Sequence, residues 1–487
     1  MEGNIVGRLL QRILLGCTCC VAVAALPDIQ PNNKILARWP EATPAALRLM
    51  SDIGVKILLT TPGEGRAPET ATPMLLIAEI APGTALDALP AAIRKARDAG
   101  YAGAAVTAIG EEKPFRAFLA SQADFVRFVY LKPEQVSWNV SPAHAVLISE
   151  IWPGLRRAST SSAGATERPW LNANLHLYAW LRARFPQRPA LLTCVPDDPS
   201  ARYDSVDAGL AEAFAAGGNV VLTFPDSYRA ALLAQQPRAL AAWKSLARLT
   251  AFVTQHATLE RRLDGARAGI IAGPLEEVEE IFNLAFRNNL SPRAIPPSAA
   301  FPRLLILSAA NVPVDKQDAS RLLAFASGGG AVLATPPDWW SSASRKLRSE
   351  ESRDVFSAGK GVIYAYKEAI VDPADFALDI REIEGLDNPS GFGLQGLDFR
   401  FWDLNSVLGT LHRPAPGKLV LILTLYGNPV DRDFLVGIRG SFRSATFEDP
   451  ALPAPQPLRL MPRAGRVELN LKGLSRTGII TLEELGQ

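Results

Sequence analysis

Eight short apolar runs, separated by amphipathic or alanine-rich stretches, constrain the first half of this sequence more than any other feature. They cover residues 35–39, 55–60, 74–80, 104–109, 125–131, 145–149, 190–195 and 220–224. A strand with one wet face alternates apolar and polar side chains. Near-continuous apolar runs instead suit strands buried on both faces, as in parallel sheets covered by crossover helices. The plainest helices fall between the runs, at 45–53, 89–99, 115–121, 171–184 and 205–216. Eight strand–helix units over about 200 residues predict a (β/α)8 barrel, here placed at 30–264 and closed by helical sequence at 237–263. A doubly wound open sheet is the competing arrangement.

The α/β pattern restarts at 268, with strands predicted at 269–272, 303–308, 331–335 and 361–366 and helices at 275–288 and 315–326. This order predicts a flavodoxin-like domain over 265–385. Gly328 to Gly330 follows a helix and precedes a strand, which reads as a helix C-cap. From 397 the runs alternate and are divided by Gly/Pro turns, at 398–402, 418–426, 434–439, 445–448, 466–471 and 478–482. Strands without intervening helices predict a small antiparallel β-sandwich, assigned to 395–487. The fold class is α/β.

With 48% hydrophobic and 21% charged residues, the chain can build a large core and is not generally disordered. Lys and Arg number 51 against 49 Asp and Glu, so no basic surplus points to nucleic acid. Arg8 and Arg12 precede an apolar stretch, 13–26, that contains Ala22-Val23-Ala24. This predicts a signal peptide over 1–24 and a periplasmic or extracellular protein. The stretch is shorter than the roughly 20 residues of a membrane-spanning helix, so no membrane span is expected. Leu14-Leu15-Gly16-Cys17 resembles a lipoprotein box, but it follows Arg12 too closely to leave a hydrophobic region upstream.

Cys17, Cys19 and Cys20 lie in the leader, leaving Cys194 as the one thiol of the mature chain. Neither a disulfide framework nor a zinc cluster can be built from it. His144, His176, His256 and His412 are scattered, and no metal or cofactor is expected. The G-x-G-x-x-G match at 391–396 lacks the strand–turn–helix context of a dinucleotide site. No G-x-S-x-G elbow is present, which excludes esterase chemistry through that motif.

The segments LLILSAANVPV (304–314), LAFASGGGAVLA (323–334), GKGVIY (359–364) and LYGN (425–428), in this order of parts, carry a resemblance. The chain resembles bacterial β-galactosidase-like glycoside hydrolases, in which a barrel is followed by a trimerisation domain and a terminal β domain. That resemblance covers 265–487 best and implies a carbohydrate ligand and a homotrimer. The family's Asn-Glu pair at the fourth barrel strand is absent here, where the sequence reads Thr107-Ala108-Ile109-Gly110-Glu111-Glu112.

Glycoside hydrolysis uses two carboxyl groups, one protonating the leaving oxygen and one acting as nucleophile or base. Acids at strand ends are therefore the catalytic candidates. Glu150 follows the sixth strand beside Trp152, Glu79 ends the third, and Asp197 follows the seventh. An ordinary loop carboxylate for Glu150, a turn at Asp197-Asp198-Pro199 and a salt bridge from Glu79 to Arg38 are the bland alternatives. Glu111 and Glu112 are further choices. Arg38, Trp39, Tyr130, Trp138 and Trp152 are candidate substrate-binding residues, the aromatics as a sugar platform. Two functions stay open: a secreted glycoside hydrolase, and a non-catalytic carbohydrate-binding or assembly protein on the same scaffold.

Overall fold

The computed structural model describes residues 31–487 apart from 32–33, 71, 157–169, 196–200, 298, 300, 302–303, 305, 342–343, 371–397, 403, 464 and 486–487. The predicted signal peptide, Asp197 with Asp198, and the glycine motif at 391–396 lie outside the described residues. Residues 31–487 form one compact unit.

All eight predicted barrel strands are present: β1 (Ile35–Arg38), β2 (Val55–Thr60), β3 (Leu75–Glu79), β4 (Gly103–Thr107), β5 (Val126–Leu131), β6 (His144–Ser149), β9 (Leu191–Cys194) and β10 (Asn219–Thr223). Between β6 and β9 lies a short antiparallel ribbon, β7 (Gly154–Arg156) with β8 (Trp170–Asn172). The barrel is closed, because β1 pairs in parallel with both β2 and β10. This settles the choice between barrel and open sheet.

Helices α1 (Pro44–Asp52), α2 (Leu89–Asp98), α3 (Glu112–Ser121), α4 (Leu175–Arg184), α5 (Tyr203–Ala216), α6 (Asp226–Leu233) and α7 (Pro237–Gln255) cover the outside. The first starts where local chemistry dictates: Pro44 sets the opening turn and the Thr43 hydroxyl accepts the Ala46 N–H at 3.2 Å.

Strand period two divides the barrel residues into two sets. Ala37, Leu58, Ala78, Val106 and Leu222 join the helices in an outer core. Leu36, Ile57, Ile77, Phe128 and Val221 have the opposite parity, are fully buried, and fill the interior. Two residues further along, Arg38, Glu79, Tyr130 and Thr223 make the interior layer polar, with Leu59 its apolar member.

Closure is tight at the base of β9 and β10, where Asn219 N–H donates to Ala190 O at 2.8 Å. A Cβ on Gly218 would overlap the Tyr178 ring and stand 2.9 Å from Ala190 O. Gly218→Ala is expected to cost about 1–3 kcal/mol through overpacking, read as a lowered denaturant midpoint.

The second sheet joins β11 (Ala268–Ile271), β12 (Arg293–Ile295), β13 (Ile306–Ala309), β14 (Ala331–Ala334), β15 (Arg345–Ser349), β16 (Arg353–Ala358) and β17 (Gly361–Tyr366) in the order β12-β11-β13-β14-β17-β16-β15. Its parallel part is the 2-1-3-4-5 order of flavodoxin-like folds. The β15–β16 hairpin extends one edge antiparallel. Helix α8 (Leu275–Arg287) packs toward the barrel's α4, where Trp180 Nε1 donates to Gly273 O at 2.9 Å. Helix α9 (Lys316–Ser327) ends at the expected glycines, with Gly329 at φ +113° and Gly330 N–H returning to Phe325 O at 3.2 Å.

Two antiparallel sheets follow, one of four strands and one of five, and they enclose a common core of Phe399, Leu421, Leu423, Val436, Leu469 and Ile480. The strand Lys418–Leu425 is buried on both faces. Leu419, Leu421, Leu423 and Leu425 face that core, while Val420, Ile422 and Tyr426 belong to the core shared with α4, α5 and α8. Helix α5 is correspondingly buried at every position from Ser205 to Ala216.

Candidate functional site at the barrel mouth

The polar layer sits where β1, β3, β5, β9 and β10 end. Arg38 Nε donates to Glu79 Oε2 at 2.7 Å, reaching from β1 past β2 to β3. Their side chains are 18% and 5% exposed, so the pair is largely removed from water. A lone charge there would carry a desolvation cost of several kcal/mol, which the opposite charge offsets. The salt bridge considered from the sequence is thus formed.

Tyr130 enters the same layer from β5. Burial and the nearby Glu79 charge raise its hydroxyl pKa well above that of an ordinary phenol. Among the described residues, the buried hydroxyl has no hydrogen-bond partner of good geometry. On the far side, Thr193 and Thr223 join through their hydroxyls at 2.9 Å. Thr107 and Ile148, of inward parity on β4 and β6, are only half-buried, which leaves this part of the layer open to solvent.

Glu150 stands exposed on a bend just past β6. The two described candidates, Glu79 and Glu150, therefore occupy the same end of the barrel on strands three positions apart. Their surroundings differ: one is buried and ion-paired, the other solvated. Asp197 lies outside the described residues. Glu111 is exposed at the start of α3, and Glu112 accepts the Asn139 N–H at 3.1 Å.

The aromatic candidates are placed elsewhere, except Tyr130. Trp39 is 2% exposed and packs on Phe224 at 5.6 Å in the outer core. Trp152 is buried, with Nε1 donating to Val195 O at 2.9 Å, so it ties the loop after β6 to the end of β9. Trp138 is half-buried against Phe115 at 6.0 Å. All three are engaged in packing contacts within the protein.

A second polar centre escaped the sequence reading. Glu212, fully buried on α5, accepts the Asn174 N–H at 2.8 Å and the Tyr426 O–H at 2.7 Å on the same oxygen. Burial pushes its carboxyl up to about 8, with the bonds from Tyr426 and Asn174 pulling the other way. Asp207, five residues earlier on the helix, is pushed up to about 7 by burial against the opposing pull of Arg476. The only hint in the sequence is acids within an otherwise Ala-rich helix. Among the described residues no cluster of three or more His, Cys, Asp or Glu could hold a metal ion, and no helix is long and apolar enough to cross a membrane.

No family model matches the chain, and no curated protein matches it. Solved structures similar to it include a β-galactosidase from Bacillus circulans sp. alkalophilus, at 12% identity and TM-score 0.46, covering 74% of this chain and 65% of that one. Others are an α-L-fucosidase isoenzyme from Paenibacillus thiaminolyticus, at 9% and 0.48, and a β-galactosidase from the psychrophilic Marinomonas ef1, at 10% and 0.48. Both of these align over 93% of this chain and 100% of their own. The chain spans just under two thirds of the Bacillus circulans enzyme. These neighbours come from the class that the sequence resembles. Identity this low bears on the fold alone, and the fold stands on the chain's own strand pairing.

Proposed function

We propose that the barrel mouth is a glycan site and that the protein is a glycoside hydrolase, exported through residues 1–24. The observation that carries this reading is the Arg38–Glu79 pair with Tyr130 at the C-terminal ends of the strands, where barrel enzymes place their chemistry. Glu79 serves as the nucleophile or base, steadied by the guanidinium. Glu150, solvated on the bend at the end of β6, protonates the leaving oxygen.

The test is a screen of the purified protein against chromogenic glycosides and polysaccharides. Glu79→Gln and Glu150→Gln are each expected to lower kcat/KM on the order of 10²–10⁴-fold against whichever substrate is cleaved. Turnover that survives both substitutions would overturn the site.

A non-catalytic carbohydrate-binding or assembly protein is the second reading. It is favoured by the engagement of Glu79 with Arg38, which ties up one of the two carboxyl groups that hydrolysis needs. Glycan binding without turnover selects it.

A further inference from the structure

We propose that Tyr426, Glu212 and Asn174 form a positioning relay through which the C-terminal sandwich fixes the backbone on both sides of Glu150. This rests on the hydrolase reading of the mouth, since it assigns these residues a task only if Glu150 must be placed for chemistry.

The argument begins with Glu150 itself. It is exposed, on a bend beyond the last residue of β6, so no strand pairing sets its position. A proton donor must nevertheless be held close to its working geometry, because displacements near 1 Å cost about a hundredfold in rate. Its neighbours supply the hold. Ile151 N–H donates to Ser149 Oγ at 3.1 Å, and Ile151 O accepts from Asn174 Nδ2 at 3.0 Å. Ser149 Oγ in turn donates to Asn174 Oδ1 at 2.6 Å. Both residues flanking Glu150 are thus clamped by one asparagine side chain.

Asn174 occupies the N-cap of α4, yet its side chain makes no capping bond to that helix. An asparagine there ordinarily accepts a helix N–H. Here the amide is diverted to the bend. Its own N–H is taken by Glu212, whose oxygen also receives the Tyr426 hydroxyl. Ser149, Asn174, Glu212 and Tyr426 are all at most 3% exposed. A carboxyl buried between helix and sheet is costly, and a leucine would fill such a space without that cost. Its partners lead step by step to the mouth. The chain of bonds joins residues 214 positions apart.

The experiment compares wild type with Tyr426→Phe, Glu212→Leu and Glu212→Gln. It measures hydrogen–deuterium exchange of the segment 149–152, and kcat and KM on a glycoside that the wild type cleaves. Tyr426→Phe and Glu212→Leu are expected to speed exchange in that segment and to lower kcat about tenfold with KM little changed. Glu212→Gln keeps an oxygen acceptor and should retain most of kcat.

Lowered thermal stability with unchanged exchange at 149–152 overturns the relay, whatever the activity. So does equal loss of kcat in the Gln and Leu variants. Faster exchange in a protein whose wild type cleaves no glycoside upholds the coupling of the sandwich to this bend and overturns the hydrolase reading together with the relay's catalytic task. If Glu212→Leu does not fold, Tyr426→Phe, which removes one hydroxyl, decides alone.

Discussion

Arg38→Met is expected to destabilise the protein by about 3–5 kcal/mol, the range for breaking a buried ion pair from one side. The Glu79 side chain is 5% exposed and its ion-pair partner is Arg38, so methionine would leave a carboxylate inside the barrel without its counter-charge. Tyr130 nearby offers one hydroxyl, far short of a full charge. Combining Arg38→Met with Glu79→Gln removes both charges and should recover much of the loss, because a neutral pair carries no uncompensated charge. Denaturant midpoints of the two single variants and the double variant check this. Additive losses, with no recovery in the double variant, would show that packing and not charge accounts for the effect.

The second large effect concerns pH. The folded-state values near 8 for Glu212 and near 7 for Asp207 stand well above the ordinary values of 4.5 and 3.8. Between the ordinary and raised values the unfolded chain releases a proton that the folded chain keeps. The stability contributed by these two groups is therefore full at acid pH, below the unfolded pKa, and is lost as pH rises toward 7 and 8. The slope is about 1.4 kcal/mol per pH unit for each group over its own window. Glu212→Gln removes one of the two titrations, so the variant should match wild type near pH 4 and exceed it near pH 8.5. Urea unfolding at both pH values decides this, and a Glu212→Gln variant that gains nothing on wild type between about pH 4 and about pH 8.5 refutes it.

Much of the architecture was legible in the sequence because burial on both faces writes itself as uninterrupted apolar runs. All eight barrel strands and the parallel strands β11, β13, β14 and β17 carry that mark. The β15–β16 hairpin does not: Arg345–Ser349 is exposed throughout and rich in cations, as an edge strand tends to be. The strand Val407–Ala415 was missed because Gly409 and His412 interrupt its pattern. Both fit only in context. A Cβ on Gly409 would press into the Phe399 ring, and buried His412 accepts the Leu263 N–H at 3.0 Å.

The site was half legible. The salt bridge between Arg38 and Glu79 could be considered from their positions at strand ends. That same parity argues against Trp39: a residue next to an inward arginine must point outward, and Trp39 does. Tyr426, Glu212 and Asn174 left no comparable trace, since hydrogen bonds spanning 38 and 214 positions have no periodicity to detect.

The two-faced strand Lys418–Leu425 has a consequence for how this chain can be cut or recombined. One of its faces is the inner wall of the sandwich, and the other is the roof over α5. Trimming the chain back to a minimal barrel would uncover a helix with no water-facing side and strand Glu212 without its tyrosine. A terminal β domain of this kind cannot be exchanged like a cassette. Any shuffled successor would have to match α5 residue for residue before the barrel could fold beneath it.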